Sequence, residues 1–402
     1  MSPENDQTFT MDPMLPDLQR GDLAELCQEV TLITGELNGL LPSPVVQAQV
    51  ARLVRGMNCY YSNLIEGHKT LPRDIEAAEQ QDFSDQPEER DKLLLARAHI
   101  HTEEAMLLRL QQADTEVYSP DFICWIHETF YQQLPESMRM AKTVSGQSYP
   151  IIPGKFRDFM VDMGTHTRPE SKILPDFLQR FQTAYGRDDV PATQRLIAIA
   201  AAHHRLAWIH PFGDSNGRVI RLHSHALLRH HYLGGHGLWT LSRGLARSRQ
   251  TYYARLAAAD RPRENDWDGR GPLSAKGLTD WCTYFLETMI DQAGFMRDLL
   301  RLHELRTRIE DYFRFKASHL KKHREDLMQV VSVLAYEGEL PRERVQAITG
   351  KGATTAAAII KLGLAEGYIH TPSPKGVLQI AFPTHVLPYY FPGLFIDLPE
   401  EG

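Results

Sequence analysis

Between Pro191 and His210 the chain reads Thr193-Gln-Arg-Leu-Ile-Ala-Ile-Ala-Ala-Ala-His-His-Arg-Leu-Ala-Trp-Ile209, a helical stretch that is apolar nearly all the way round. Such a helix has no face to offer water, so it is expected at the buried centre of the fold. The helical period recurs upstream in Val46, Val50, Leu53, Val54, Met57, Tyr60, Tyr61 and Leu64, predicting a helix over 45–65 with Gly67 at the C′ position. Further helices are expected over 18–30, 92–112 and 122–133, and another from Ser242 through Tyr252 and Tyr253. A last long one runs from Ser274 to Ala317. The fold class is therefore mainly α.

The central helix delivers His210 into the run His210-Pro-Phe-Gly-Asp-Ser-Asn-Gly-Arg-Val-Ile-Arg221, whose first half cannot be helical and whose second half is. Ser215, Asn216 and Gly217 thus fall where the first N–H groups of a new helix lack intrahelical partners and the helix dipole is positive, a geometry that binds phosphate. Arg218 and Arg221 share a helical face and present two guanidinium forks. Asp214 offers the kind of oxygen that Mg²⁺ takes when it is held mainly by a carboxylate, waters and substrate phosphates. His210 is a candidate base near neutral pH. Taken singly, each is an ordinary residue of a capped helix start; their joint spacing is what points to chemistry.

This run resembles the signature of Fic-domain proteins, His-x-Phe-x-(Asp/Glu)-Gly-Asn-(Gly/Lys)-Arg with a second Arg three residues on. His210, Phe212, Asp214, Asn216, Gly217, Arg218 and Arg221 match, while Ser215 stands where the family usually has Gly. A hydroxymethyl there would either narrow the anion cradle or add a hydrogen bond, which leaves open a donor other than ATP, or transfer of another nucleotide or a phosphoryl group. Upstream, Ser62-Asn-Leu-Ile-Glu66-Gly67 ends the predicted helix, with Ser62 and Glu66 on one face and a carboxylate at the unfavourable end of the helix dipole. The segment resembles the family's inhibitory (Ser/Thr)-x-x-x-Glu-(Gly/Asn) motif in the subclass that carries it N-terminally. The resemblance implies that Glu66 pairs with Arg221 and blocks the terminal phosphate of a nucleotide, with Ser62 and Gly67 completing the regulatory motif.

It further implies a protein adenylyltransferase that moves AMP from ATP, with Mg²⁺ on Asp214, to a Ser, Thr or Tyr hydroxyl of a target protein or of the chain itself. His210 would be the base and Tyr253 a contact of the nucleotide base. The segment 144–161, rich in β-branched and aromatic residues around Gly and Pro, is expected as a β-hairpin flap. Pro153-Gly-Lys-Phe-Arg157 and Val161-Asp-Met-Gly164-Thr-His166 resemble the family's flap, whose edge aligns the target by strand addition.

The expected organisation is a flexible tail over 1–16, an N-terminal helical region over 17–115 with the inhibitory helix, a Fic-type helical core over 116–325, and a C-terminal winged helix-turn-helix over 326–402. Its helices are expected over 328–336, 341–348 and 354–364, with a two-stranded wing over 367–382. The C-terminal part carries five Lys and Arg against eight Asp and Glu, and the third helix reads Thr354-Thr-Ala-Ala-Ala-Ile-Ile-Lys. Protein packing or a homodimer is therefore favoured over DNA, although Lys316, Lys321, Lys322 and Arg324 keep a nucleotide-sensing DNA-binding regulator as the rival. The net charge of −7 gives no general reason to expect nucleic acid. The lack of a long apolar run or a leader pattern predicts a cytoplasmic protein with no membrane partner. Cys27, Cys59, Cys124 and Cys282 are spaced for neither zinc ribbon nor disulfide framework, and the His203-His204, His223/His225 and His230-His231 pairs are expected to be solvated or hydrogen-bonded.

Overall fold

The computed structural model describes residues 3–16, 22–79, 86–142, 146–159, 162–163, 166–187 and 189–396. In chain order come α1 (Leu23–Leu40), α2 (Pro44–Ile65), α3 (Pro72–Glu79), α4 (Pro87–Arg109) and α5 (Pro120–Gln132). Short strands β1 (Met140–Lys142), β2 (Ser148–Pro150), β3 (Asp162–Met163) and β4 (His166–Thr167) follow. Then come α6 (Leu174–Tyr185), α7 (Ala192–Ile209), α8 (Asn216–His230), α9 (Ser242–Arg247), α10 (Arg249–Ala259) and α11 (Ala275–Leu299). The chain divides into two compact units: Met1–Leu32, Asn58–Gly234 and Thr240–Gln292 in one, Ile33–Met57, Gly235–Trp239 and Ala293–Gly402 in the other.

Helix α7 is the centre of the first unit. Its residues from Leu196 to Ala202, with Leu206 and Ile209, are buried, and α6, α8 and α10 pack on it. Because no face reaches water, its polar side chains must find partners inside. His203 bonds the Ser224 hydroxyl at 2.8 Å and the Tyr252 hydroxyl at 3.0 Å. Wholly buried Arg205 donates to the Pro13 carbonyl and to His204 Nδ1, which leaves His204 Nε2 to face Asp260 and the Leu256 carbonyl.

These demands correct the expectation of a flexible tail over 1–16. Pro3–Met11 is a 3-10 helix, Met11 is 0% exposed, and Asp12 takes Arg180 at 2.6 Å. The carbonyls of Pro13 and Met14 receive Arg205 and Tyr185, two buried donors.

Other boundaries move for local reasons. Helix α1 continues past Val30 to Leu40, since only Pro42 stops it. The run from Ser242 breaks at Ser248 (φ −118°, ψ 38°) into α9 and α10. The helix expected to reach Ala317 ends at Leu299 and resumes as α12 (Leu302–Phe315), with Arg308 donating to the Leu299 and Tyr390 carbonyls. The expected flap is two separate antiparallel pairs, β1 with β2 and β3 with β4, with no strand over 151–159; Val144, Ser145, Val161, Gly164 and Thr165 lie outside the described residues.

In the second unit α12 packs on α13 (Arg324–Glu337), followed by β5 (Glu339–Leu340), α14 (Arg344–Thr349), α15 (Ala353–Ala365), β6 (Ile369–His370), β7 (Leu378–Ile380) and α16 (Leu387–Tyr390). The strands form a three-stranded antiparallel sheet ordered β5-β7-β6, one strand more than the expected wing, and 293–325 go with this unit rather than ending the preceding one. No described helix is long and apolar enough to cross a membrane.

If the N-terminal segment is part of the core, Met11→Ala destabilises the protein by about 2–4 kcal/mol, the range for truncating a buried large side chain. Urea unfolding followed by tryptophan fluorescence measures this; a change near zero would mean the segment is loose after all.

Candidate functional site

The loop between α7 and α8 is held by unusual backbone at both ends. His210 closes α7 at φ 51°, and Ser215 precedes α8 at φ 57°, both in the left-handed region that side chains other than Gly enter at a cost. Surrounding contacts hold this geometry. Asn216 Oδ1 accepts from the Phe212 N–H at 3.0 Å and its Nδ2 donates to the Phe212 carbonyl at 2.7 Å. The ring of Phe212 is buried and stacked on His127 at 4.0 Å. Buried Arg157 donates its Nε to the His210 carbonyl, its backbone N–H to the Pro211 carbonyl, and its guanidinium to the Phe159 and Pro169 carbonyls. Arg168 donates to the Ala207 and Trp208 carbonyls at the end of α7.

The first turn of α8 is already matched with an anion, the carboxylate of Glu66. Its Oε1 would stand 2.2 Å from a Cβ placed on Gly217, so only glycine lets the carboxylate lie on the helix start. The same oxygen accepts Arg221 Nη2 at 2.7 Å. Arg221 is 2% exposed and Glu66 27%. Arg221 also donates Nε to the Ser62 hydroxyl at 3.0 Å and Nη2 to the Ser62 carbonyl at 2.9 Å. Burial pushes the Glu66 carboxyl up, but the charges of Arg221 and Arg218 outweigh it and hold the group below its usual range. Gly67 follows at φ 84°, the left-handed turn that ends α2.

Asp214 is exposed at the lip of the same turn. Its Oδ2 accepts the Tyr131 hydroxyl at 3.0 Å, and that hydroxyl lies 3.0 Å from Ser215 Oγ. Burial first, then the Asp214 charge, push the Tyr131 pKa up, so the phenol stays protonated and donates to Asp214. Arg218 donates Nη1 to Ser215 Oγ at 3.2 Å and Nε to Asn63 Oδ1 at 3.0 Å. The Ser215 hydroxyl is thus engaged by Tyr131 and Arg218, and the Asn216 side chain by the loop, so that an anion at this helix start would meet backbone N–H groups. No group of three or more His, Cys, Asp or Glu suited to a metal occurs among the described residues. Exposed Asp214, with one oxygen held by Tyr131, is a lone carboxylate of the kind that could hold Mg²⁺ together with substrate phosphates and water.

Half-buried His210 is held neutral: burial, then the Arg168 and Arg157 charges, lower its pKa to about 3. Tyr253, 43% exposed, donates its hydroxyl to the Ile65 carbonyl at 3.3 Å and has the Arg249 guanidinium 5.8 Å from its ring. Its neighbour Tyr252 is buried in the core. The structure therefore gathers His210, Asp214, Ser215, Gly217, Arg218, Arg221, Ser62 and Glu66 at one helix start. It adds Tyr131, Asn63, Arg157 and Arg168, which no local pattern announces because their partners lie far along the chain.

Residues 117–228 match the Fic/DOC family model. A protein adenylyltransferase Fic of Drosophila mojavensis is 33% identical over 101 residues, 25% of this chain and 20% of that protein. One of Nematostella vectensis is 25% identical over 142 residues, 34% of this chain and 33% of that protein. The alignments thus span a fifth to a third of these relatives' length. Among solved structures, a Fic family protein from Desulfovibrio desulfuricans G20 superposes with a TM-score of 0.50 at 17% identity, covering 92% of this chain and 98% of that one. A Fic domain containing signaling protein from Bacteroides thetaiotaomicron gives 0.52 at 16% identity, covering 68% and 97%. At these identities the likeness is one of fold.

The electrostatics of this unit set its response to acid. Burial lowers His127 and His210 to about 3, and His223 and His225 to about 4, from an ordinary 6.5. Below 6.5 the unfolded chain takes up protons that the folded one refuses. Stability present above that value is therefore lost as pH falls toward these folded-state values. The melting temperature should decline steadily from about pH 7 to about pH 4.5, before most carboxylates titrate. A flat profile over that interval at constant ionic strength would show that these histidines protonate freely in the fold.

Proposed function

Because residues 117–228 form a Fic/DOC domain, we propose that the protein transfers AMP from ATP to a Ser, Thr or Tyr hydroxyl of a protein, and that Glu66 restrains it. The observation that carries this reading is the Glu66 carboxylate lying on the first turn of α8 against Gly217 and Arg221. A helix start that accommodates the chain's own anion, with a buried guanidinium beside it, is built for a negative ligand. Replacing one carboxylate by the end of a phosphate chain satisfies the same donors.

In this reaction the target hydroxyl attacks the α-phosphorus of ATP, its proton passes to a ring nitrogen of His210, and the bond from the α-phosphorus to the bridging oxygen breaks, releasing pyrophosphate. His210 suits the role because it is neutral at pH 7. The arginine charges that depress its pKa would be offset by a bound triphosphate, which raises its basicity when substrate is present. Asp214, oriented by Tyr131, would hold Mg²⁺, which when bound neutralises charge between the α and β phosphates. The backbone N–H groups of Ser215, Asn216 and Gly217 cradle the phosphates, Arg218 meets charge developing on them, and Arg221 turns to the terminal phosphate once Glu66 leaves. Tyr253 offers a partly exposed ring for the base. The outer edges of the two-stranded pairs β1-β2 and β3-β4 offer main chain on which an extended target segment can add.

The Ser215 hydroxyl is bound to Tyr131 and Arg218. A hydroxyl turned to these two side chains supports the reading with ATP as the donor. The C-terminal part over 326–402, with eight Asp and Glu against five Lys and Arg, suits protein packing better than DNA.

Labelling with α-³²P-ATP and Mg²⁺ tests this. Wild type should label itself or an added target weakly, and Glu66→Gly at least about tenfold more strongly, since the variant frees the anion site for productive binding. Adding His210→Ala should lower that gain by about 10²–10⁴-fold. Undiminished labelling in the double variant would move the base elsewhere. No labelling in any form, with ATP binding intact, would remove AMP transfer.

A further inference from the structure

We infer that Asn63 is a positioning residue for Arg218, so that the helix carrying the inhibitory glutamate also builds the active arrangement; this rests on the AMP-transfer reading above. Asn63 is wholly buried one position after Ser62 in the last turn of α2. Its Oδ1 accepts Arg218 Nε at 3.0 Å, and its Nδ2 lies 3.6 Å from Cys59 Sγ. On the other side, Ser215 Oγ accepts Arg218 Nη1 at 3.2 Å. Arg218 is 4% exposed, with the Phe130 ring 5.9 Å from its guanidinium carbon, yet its Nη2 has no partner among the described residues. A guanidinium has five N–H donors in a rigid plane, so fixing two of them fixes the rest. Asn63 and Ser215 hold two corners and leave one nitrogen of a buried cation without an acceptor among the described residues, where a phosphate oxygen would accept it.

The anchor is neutral, which matters. Glu66 binds Arg221 through a carboxylate that cancels its charge and competes directly with a phosphate. Asn63 aims Arg218 without cancelling its charge or occupying its open nitrogen. Two residues in the closing turn of α2 therefore act in opposite senses: removing Glu66 releases the site, and removing Asn63 disarms it. Ser215, which departs from the family's usual glycine, belongs to the same device, since its hydroxyl supplies the second acceptor.

The test starts from Glu66→Gly and adds Asn63→Ala or Asn63→Asp. Asn63→Ala should lower kcat by about 10- to 100-fold, the scale of loss when a transition-state group is misplaced. ATP affinity, read by titration with a fluorescent ATP analogue, should stay within about threefold, because the open nitrogen is used mainly in the transition state. Asn63→Asp keeps an acceptor but adds a charge, so its kcat should lie between the two. A readout independent of catalysis is the Nε–H resonance of Arg218 in arginine-labelled protein, assigned with Arg218→Lys. It should exchange slowly in the parent and in Asn63→Asp, and rapidly in Asn63→Ala. Unchanged kcat in Asn63→Ala that retains the parent's melting temperature, or equal Nε–H protection with and without Asn63, would overturn the inference. If the Glu66→Gly parent transfers no AMP, the functional reading fails, while the resonance still decides whether Asn63 anchors Arg218.

Discussion

The start of α8 requires an anion, and much of the site is organised by how that requirement is met. Free N–H groups and the positive end of the helix dipole converge there with Arg221, which is almost wholly buried. An unpaired buried guanidinium would cost several kcal/mol, by the general scale for stripping an ion of water without a partner. Glu66 relieves that cost at some expense to itself, because burial opposes its ionisation and only the arginine charges keep it charged. The pair is thus held by mutual need rather than by solvent. Any replacement for Glu66 must bring at least one negative charge to the same place.

Meeting that anion requires a loop with two non-glycine residues in the left-handed region, and each carries strain of about 1–3 kcal/mol. At His210 glycine would relieve the strain but remove the imidazole. At Ser215 it would relieve the strain but remove the hydroxyl that meets both Tyr131 and Arg218. The loop tolerates both because it is over-determined. Asn216 bridges both backbone groups of Phe212, Phe212 stacks on His127, and Arg157 holds the His210 and Pro211 carbonyls. A rigid core helix on one side and this set of staples on the other leave the loop little room to wander.

What could be read from sequence divides along the range of each interaction. The helical class, the central α7 and the motif residues from His210 to Arg221 rest on local period and spacing, and those were legible. The placement of Glu66 beside Arg221 was legible only through resemblance, because nothing local specifies a partner so far along the chain. Tyr131, Asn63, Arg157 and Arg168 were not legible for the same reason: each looks like an ordinary helix or loop residue until tertiary packing brings its partner. Ser215 was visible but its effect was not, since the backbone angle at that position decides whether the hydroxyl crowds the cradle or turns to Tyr131. The N-terminal segment misled because its prolines and polar residues suggest a loose tail. Its carbonyls are instead the acceptors for buried Arg205 and Tyr185.

The dipole argument that made Glu66 look misplaced at the end of α2 is resolved by the second helix. A carboxylate there is disfavoured by its own helix and favoured by the facing N-terminus of α8, whose first turn it touches at Gly217. The complement holds in the other direction. The Glu66 N–H turns to the Asn63 carbonyl at 3.1 Å, which leaves the Ser62 carbonyl at the negative end of α2 to accept Arg221. Two helix ends of opposite sign are therefore joined by two crossed contacts, one acid on the positive end and one base on the negative. A ligand can take over the first contact but not the second, because the Ser62 carbonyl belongs to the backbone. Arg221 is therefore held to the end of α2 by a main-chain acceptor as well as by the Glu66 side chain.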